Sequence, residues 1–222
     1  MPKILKHKIL LNNQELFFFA PENDSTIPGT LAGLKENNWK LEKTNFQDGD
    51  YFVDIGCNVG LISLIVAKLK PNINVLSYDP NPIAIDCLKM AIQENGINNI
   101  RAINKAVGGK PRPNAEFFTY AENETCLIEK SISSNQREVS YFVDVISIDE
   151  IFDKEIKGNV KFLKCDIECG EFELFDYLFD YRPDILNRID RLSLEIHPLW
   201  GEERSDKLRN RIDALFGDRV SH

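Results

Sequence analysis

The chain has 222 residues, of which 43% are hydrophobic and 28% charged, which is the composition of an ordinary globular protein with a sizeable core. A formal net charge of −8 argues against a nucleic-acid surface, which normally carries a basic stripe. No apolar run approaches the roughly 18 residues of a membrane-spanning helix. The five cysteines are odd in number and lack C-x-x-C spacing. We therefore expect neither zinc nor a disulfide framework, and a cytoplasmic location.

The first fifty residues precede the main pattern. Residues 4–20 predict two short strands around a polar turn at Asn12–Asn13, and Thr30–Asn37 predicts a short helix. We expect residues 1–50 to pack on a larger domain that covers residues 51–222.

The best-defined pattern is YFVDIGCNVGLISLIVAKL, from Tyr51 to Leu69. Tyr51–Ile55 has the composition of a buried parallel strand, a glycine turn follows, and a helical pattern runs to Leu69. Backbone N–H groups at such a helix start can hold an anionic group of a ligand. Glycine inside a helix costs about 1 kcal/mol relative to alanine, so Gly60 indicates either a close ligand or a tight chain contact.

The alternation of strands and helices continues and predicts a doubly wound, mostly parallel α/β sheet. Between its third and fourth strands, a polar segment, Ser131–Arg137, separates two alternating segments that predict an antiparallel extension beside the substrate. The further strands are predicted at Asn74–Tyr78, Ile100–Val107, Glu116–Tyr120, Val139–Val145, Val160–Cys165 and Arg191–Ile196. The further helices are predicted from Pro82 to Asn95–Gly96, at Asp149–Lys154, through Leu174 and Leu178, and at Asp206–Phe216.

Polar residues collect at the carboxyl ends of four predicted strands, where open parallel sheets bind their ligands. Asp79 follows Gly56 by 23 residues (79 − 56), about the separation at which an acid accepts hydrogen bonds from ribose hydroxyls. The four groups are Asp54–Gly56–Asn58–Gly60, Asp79–Asn81, Asp166–Glu168 and Glu195–His197.

The glycine turn has the pattern D-x-G-x-N-x-G rather than G-x-G-x-x-G. Asn58 replaces a glycine of the dinucleotide fingerprint, and Asp54 would crowd a pyrophosphate with like charge. A partly cationic ligand suits the turn better, and S-adenosylmethionine carries a sulfonium, an ammonium, a carboxylate and a ribose. The alternatives are a nicotinamide-dependent oxidoreductase on a similar fold and a non-catalytic cofactor-binding protein.

Five blocks in this order, VDIGCNVG, YDPNP, SIDEIF, FLKCDIECGEFELF and LEIHP, resemble the FkbM family of S-adenosylmethionine-dependent methyltransferases. The resemblance covers about Tyr51 to Pro198. It implies a class I methyltransferase fold of Rossmann-like type, here with an N-terminal β-hairpin extension, and methyl transfer to a hydroxyl oxygen of a small molecule or carbohydrate.

The same resemblance implies roles for the residues at the strand ends. Asp54, Gly56, Asn58 and Gly60 would hold the methionine part of the cofactor, and Asp79, followed by Asn81, the ribose. On the substrate side, Glu168 would bind the acceptor, and Asp166, Glu195 and His197 would be catalytic.

Proton abstraction from a hydroxyl needs a base, and Asp166 and His197 are the candidates. The ordinary pKa of histidine suits that role. Strand alternation would place Glu195 on the same face as His197, as a carboxylate–imidazole pair. Asp166, Glu168 and His197 could also bind a divalent cation, but packed carboxylates equally bind substrate hydroxyls, and we predict no bound metal.

The chain departs from the family pattern in a few places. Asp79 replaces the commoner glutamate, Cys57 replaces alanine in the turn, and Cys169 interrupts the usual Glu-Gly. Class I methyltransferases usually add two further strands as an antiparallel hairpin, and Ala214–His222 is too short for them. Either the chain is truncated or the N-terminal strands complete the sheet edge.

Overall fold

The computed structural model describes residues 2–119, 125–126, 139–168, 170–197 and 201–222. In chain order the strands are β1 (Ile4–Leu11), β2 (Gln14–Pro21), β3 (Tyr51–Ile55), β4 (Asn74–Tyr78), β5 (Ile100–Ile103), β6 (Ala106–Gly108), β7 (Arg112–Thr119), β8 (Thr125–Cys126), β9 (Val139–Ser147), β10 (Val160–Cys165), β11 (Leu192–Leu194) and β12 (Val220–Ser221). The helices are α1 (Thr26–Glu36), α2 (Leu61–Leu69), α3 (Pro82–Glu94), α4 (Ile148–Glu150), α5 (Glu171–Tyr181), α6 (Pro183–Leu186) and α7 (Glu202–Phe216).

The central sheet has six strands in the order β12-β11-β10-β3-β4-β5, and every pairing in it is parallel. The strand order reverses between β3 and β10, so the carboxyl ends of these two strands flank the ligand crevice of an open α/β sheet. The predicted doubly wound parallel fold is confirmed.

Apolar side chains cover both faces of this sheet, which explains the near-continuous apolar strands. Phe52 and Phe162 face α2, whereas Val53 and Leu163 face α5 and α7. Alternate residues of one strand therefore enter opposite halves of the core, as a parallel sheet with helices on both sides requires.

The predicted third strand, Ile100–Val107, is wrong in one respect, because it forms two strands in two sheets. Ile100–Ile103 pairs with β4, and Ala106–Gly108 pairs with β9 in a separate sheet of order β6-β9-β7-β8. Asn104 lies between them, and its Nδ2 donates to the carbonyl oxygens of Asp79 (3.0 Å) and Pro80 (2.8 Å). This anchoring directs the chain out of the central sheet.

The predicted antiparallel extension is confirmed in the described residues, where β7 pairs antiparallel with β9. Tyr120 and Ser131–Arg137 lie outside the described residues. The first helix begins at Thr26 rather than at Thr30. Asp24 accounts for the earlier start, since its Oδ1 accepts hydrogen bonds from Thr26 N at 2.8 Å and Thr26 Oγ1 at 2.6 Å. The other predicted strands and helices lie within about four residues of their predicted bounds. Strands β8 and β12 and helix α6 were not predicted, and β12 adds a parallel strand beside β11 from the segment Ala214–His222.

The N-terminal hairpin of β1 and β2 forms a sheet of its own. It packs on the end of α3, where Asn95 Oδ1 accepts from Phe17 N at 2.9 Å and Asn95 Nδ2 donates to Phe17 O at 2.6 Å. The alternative in which these strands complete the edge of the central sheet is therefore wrong, and β5 and β12 form its edges. The division of the chain at residue 50 stays a prediction. Among the described residues, no helix is both long and apolar enough to cross a membrane.

Candidate active site

A cavity of about 490 Å³ opens at the carboxyl ends of the central strands. Its wall is built from the turn after β3, the residues after β4, the loop after β10, the β6–β9 sheet and one side of α1. The volume lies within the range of about 300–1,000 Å³ that is usual for small-molecule and cofactor sites. Residues distant in sequence thus meet at the place where this fold binds its ligands.

The turn after β3 is closely packed against the neighbouring chain. Gly56 has φ +77°, and a Cβ there would lie 1.7 Å from the carbonyl oxygen of Asp166. Gly60 has φ +75°, and a Cβ there would lie 2.4 Å from Leu88 Cδ1. The close approach of α2 to α3 therefore explains why residue 60 is glycine, and this is one of the two explanations that the sequence left open. Gly56 and Asn58 line the cavity.

Asp79 lines the cavity beside this turn and organises the backbone around it. Its Oδ2 accepts a hydrogen bond from Asn58 N at 2.8 Å, and its Oδ1 accepts one from Asn81 N at 2.8 Å. A carboxylate can accept about four hydrogen bonds, so acceptor capacity remains for ribose hydroxyls. Burial raises the pKa of Asp79 to about 6, although the two backbone N–H groups oppose this rise.

Asn81 lines the same part of the cavity and also caps α3. Its Oδ1 accepts hydrogen bonds from Ile83 N at 2.9 Å and Ala84 N at 3.4 Å. Pro82 follows at the first helical position, where the missing N–H costs nothing. The side-chain oxygen of Asn81 therefore has a structural role as the cap of α3. A contact between Asn81 and a cofactor stays a prediction.

Asp54 is fully buried at the end of β3, and its partners are protein groups. Its Oδ2 accepts from Ser63 Oγ at 2.7 Å, and its Oδ1 lies 3.3 Å from Lys164 Nζ. Lys164 also donates to Gly56 O at 2.9 Å and lies 3.5 Å from Asp166 Oδ2. Burial alone would lower the pKa of Lys164, but the charges of Asp54 and Asp166 outweigh it and raise the pKa above its ordinary value.

Sequence reasoning missed Lys164, which lines the cavity and neutralises Asp54. The sequence carries a signal for it, since a lysine inside the buried strand Val160–Cys165 requires an anionic partner. Asp54 is thus paired with Lys164 behind the turn, and its predicted contact with a cofactor stays a prediction.

His197 is surrounded by carboxylates at the ends of β10 and β11. Its Nδ1 lies 2.9 Å from Glu171 Oε1, and its Nε2 lies 3.3 Å from Glu168 Oε2, 3.9 Å from Glu195 Oε1 and 4.0 Å from Asp166 Oδ1. The predicted proximity of Glu195 and His197 is thus present, but the shortest contact of the imidazole is to Glu171, a residue that sequence reasoning passed over.

These carboxylates set the charge of the imidazole in this arrangement. Burial alone would lower the pKa of His197, but the hydrogen bond to Glu171 and the charges of Glu168, Glu171 and Asp166 raise it to about 9. The ring is then protonated at neutral pH, which does not suit the predicted role as a base. Asp166, Glu168 and Glu195 line the cavity itself.

The N-terminal segment also contributes to the site, which sequence reasoning did not predict. Thr26 and Thr30 of α1 line the cavity. Asn58, which has φ +50°, donates from Nδ2 to Thr26 Oγ1 at 3.0 Å. A local sequence pattern cannot predict this contact, because the two residues are 32 positions apart in the chain.

The fold is that of the class I methyltransferases, with a parallel sheet, a glycine turn after its first core strand and an acid after the second. The family profile described as "Methyltransferase FkbM domain" matches residues 54–219. The chain belongs to the FkbM methyltransferase family, and its cofactor is S-adenosylmethionine.

Individual relatives are more distant. The chain is 25% identical over 118 residues to a "Probable cobalt-precorrin-6B C(15)-methyltransferase (decarboxylating)" of Methanosarcina acetivorans. This alignment covers 50% of the present chain and 63% of the relative. It is 23% identical over 162 residues to "Methyltransferase 1" of Beauveria bassiana, covering 65% of this chain and 64% of the relative. The chain thus spans less than two thirds of either relative.

Among solved structures, the precorrin-6y C5,15-methyltransferase of Geobacter metallireducens matches with a TM-score of 0.38 and 12% identity, over 68% of this chain and 54% of that one.

The residues fit this cofactor. Asp79 has acceptor capacity for the ribose, and Asp166, Glu168 and Glu195 give the cavity wall an acidic character that favours a sulfonium. The predicted cofactor residues Gly56, Asn58, Asp79 and Asn81 line the cavity, whereas Asp54 and Gly60 support the turn from behind.

Proposed function

We propose that this protein transfers the methyl group of S-adenosylmethionine to a hydroxyl oxygen of a small molecule or carbohydrate. The observation that carries the proposal is the row of carboxylates, Asp166, Glu168 and Glu195, on the wall of the cavity that also contains the glycine turn and Asp79. Carboxylates accept strong hydrogen bonds from hydroxyl groups, so this wall suits a polyhydroxylated acceptor.

The cofactor supplies an activated methyl group on a cationic sulfur, so the chain must position an acceptor and take its proton. Positioning at near-attack distance contributes about 7–11 kcal/mol. A general base contributes about 10²–10⁴-fold, or roughly 3–5 kcal/mol. Positioning by the cavity wall is therefore the larger contribution.

Asp166 and Glu195 are the proposed proton acceptors. Both carboxylates line the cavity. His197 instead faces Glu171 with Nδ1 and Glu168 with Nε2, so we assign it to holding these side chains rather than to removing the proton.

The part of the wall that the β6–β9 sheet forms would determine which acceptor fits. Phe117 and Val145 of the β6–β9 sheet line the cavity with Arg112, which lies 3.1 Å from Glu173 Oε2 of α5. This wall combines apolar surface with one charged pair, as sites for small amphipathic ligands do.

The net charge and the cysteines bear on the class of substrate and on the cellular location. The net charge of −8 disfavours nucleic acid as the substrate. Cys57, Cys87 and Cys165 are buried free thiols, which are typical of a reducing compartment, and we propose the cytoplasm.

The test is a methyl-transfer assay with labelled S-adenosylmethionine and a panel of sugars, polyols, phenols and amines, with the methylated atom located by NMR. We expect O-methylated products, and a rate lowered by about 10²–10⁴-fold in Asp166→Asn or Glu195→Gln. Glu203→Gln, on the exposed side of α7, is the matched control and should keep the wild-type rate.

Methylation confined to nitrogen or carbon would refute the hydroxyl acceptor. Cofactor binding without turnover of any acceptor in the panel would favour the non-catalytic alternative.

A further inference from the structure

Two carboxylates and an imidazole converge at the carboxyl ends of β10 and β11. Asp166, Glu168 and His197 each offer one ligand atom, and these atoms lie within 4.8 Å of one another. His197 Nε2 lies 3.3 Å from Glu168 Oε2 and 4.0 Å from Asp166 Oδ1. A divalent ion bound at about 2.1 Å holds neighbouring ligand atoms about 3.0–3.5 Å apart. The three atoms therefore need only a small adjustment to share one ion.

A second observation concerns Glu171, which lies behind the imidazole and is fully buried. Its Oε1 contacts His197 Nδ1 at 2.9 Å and accepts from Ile167 N at 3.1 Å. Its Oε2 is buried without a hydrogen-bond partner among the described residues. Burying a carboxylate this way is costly unless a cation balances it. The imidazolium of His197 supplies that charge when no ion is bound, and a metal ion on the other ring nitrogen would supply it when the ring is neutral.

The contact between Glu171 and Nδ1 also determines what the other ring nitrogen can do. It orients the ring so that Nε2 points toward Asp166 and Glu168. Histidines that bind metals almost always donate their second ring N–H to a carboxylate or carbonyl in this manner. The buried glutamate thus supports the imidazole as a metal-bound histidine is supported.

We propose that Asp166, Glu168 and His197 bind one divalent cation, against the sequence prediction of no bound metal, with Glu171 as the residue that positions the imidazole. The ion takes the place of the proton that Nε2 of the free imidazolium carries, and Nδ1 keeps its proton toward Glu171. Mixed carboxylate and imidazole ligands suit manganese, iron or zinc better than calcium. Asp166 and Glu168 line the cavity, so the ion would face the acceptor and hold two of its oxygens. With Asp166 bound to the ion, Glu195 would be the proton acceptor. That last role rests on the proposed function, whereas ion binding does not.

The experiment uses the tag-free chain, treated with chelator and titrated with Mn²⁺ or Zn²⁺ by calorimetry, with Mn²⁺ binding followed by electron paramagnetic resonance. We expect one ion per chain. Asp166→Asn, Glu168→Gln and His197→Gln should each weaken binding at least tenfold. Glu171→Gln should weaken it about 10–100-fold, as loss of a carboxylate that supports a ligand does. Glu203→Gln also removes one negative charge, but on the exposed side of α7, and should bind the ion as the wild type does.

Affinity for S-adenosylhomocysteine, measured on every variant, separates loss of the ion from misfolding. Glu168→Gln is the most telling variant because the side chain lies in a loop and is partly exposed. No stoichiometric binding of either metal, or binding that Glu168→Gln and His197→Gln leave unchanged, overturns the proposal. An ion bound without O-methylation would overturn the proposed function alone, and O-methylation by a chain that binds no ion would overturn the metal site alone.

Discussion

Asp79 combines two properties that usually oppose each other, deep burial and a ligand-facing carboxylate. It is only 6% exposed, yet it lines the cavity and fixes the backbone of Asn58 and Asn81. Burial favours the neutral carboxyl, whereas the backbone N–H groups favour the carboxylate. The resulting pKa of about 6 lies close to working pH, so protonation should compete with ribose binding.

Cofactor affinity should therefore depend on pH. If ribose hydroxyls prefer the ionised carboxylate, binding lowers the pKa of Asp79 and releases a proton below pH 6. We expect the affinity for S-adenosylhomocysteine to level off about one pH unit above this pKa and to fall up to about tenfold per unit below it. Calorimetric titrations between about pH 5 and 7 measure this, a window in which the amino group of the ligand stays charged.

Asp79→Asn is the control for this titration, because asparagine cannot ionise. The variant should bind more weakly at neutral pH, by about tenfold or more, since hydrogen bonds to a charged group are worth about 1.5–3 kcal/mol. It should also lose the pH dependence. A wild-type affinity that is flat across the window would contradict the ribose assignment.

At the level of single residues, the sequence identified the acids of the site better than their partners. Asp79 and Asp166 follow apolar strands, and strand ends are where this fold collects its functional groups. The sequence did not predict Lys164 and Glu171 as site residues, because each lies inside a strand or helix pattern. A charged residue in such a pattern is interpreted as solvent-exposed until its partner is known. Which carboxylate approaches His197 depends on a loop, and no periodicity fixes loop geometry.

At the level of elements, an ion pair joins the two strands at the centre of the sheet. Lys164 on β10 and Asp54 on β3 are paired in register, with side chains 8% and 1% exposed. Removing one member of a buried pair leaves an uncompensated charge, which costs about 3–5 kcal/mol. The pair therefore stabilises the place where the turn after β3 meets the loop after β10.

We expect Lys164→Met to lower the free energy of unfolding by about 3–5 kcal/mol, measured by urea denaturation. The double variant Asp54→Asn with Lys164→Met should lose less than the sum of the two single changes, because neither charge is then left buried alone. Additive losses, or a Lys164→Met variant within about 1 kcal/mol of the wild type, would show that the pair is not coupled in this way.

The elements themselves were predictable to the extent that apolar periodicity defines them. Strands β3, β4 and β10 lie where their apolar runs predict, since both faces of a central parallel strand are buried. The run Ile100–Val107 looks like one strand because periodicity cannot show that Asn104 is anchored to the chain after β4. The start of α1 depends on the carboxylate of Asp24, which precedes the N-cap Ser25 and accepts hydrogen bonds from Thr26, and apolar periodicity does not show this contact.

At the scale of the whole molecule, three distant parts of the chain form one cavity. The first fifty residues contribute α1, the central sheet contributes the glycine turn and Asp79, and the β6–β9 sheet contributes a further part of the wall. A hydrogen-bonded series from Asp24 through Thr26 and Asn58 to Asp79 joins the first two parts. A ligand that orders the turn should therefore also order α1.

Amide hydrogen exchange tests this coupling. With S-adenosylhomocysteine bound, exchange should slow in α1 as well as in Gly56–Val59, because the ligand stabilises the connected groups together. Exchange in α7, on the other side of the sheet, should change little. Protection confined to the glycine turn would show that residues 1–50 act independently of the site.

The variant Thr26→Val identifies the connection, since it keeps the shape of the side chain and removes its hydroxyl. Thr26 Oγ1 donates to Asp24 and accepts from Asn58, and each such hydrogen bond is worth about 0.5–1.5 kcal/mol. We therefore expect cofactor affinity to fall about 2–10-fold and the protection of α1 to diminish. Thr26→Ser keeps the hydroxyl and should restore both. If Thr26→Val protects α1 as well as the wild type does, the coupling passes through the packing of α1 against the cavity, and the hydroxyl contributes nothing to it.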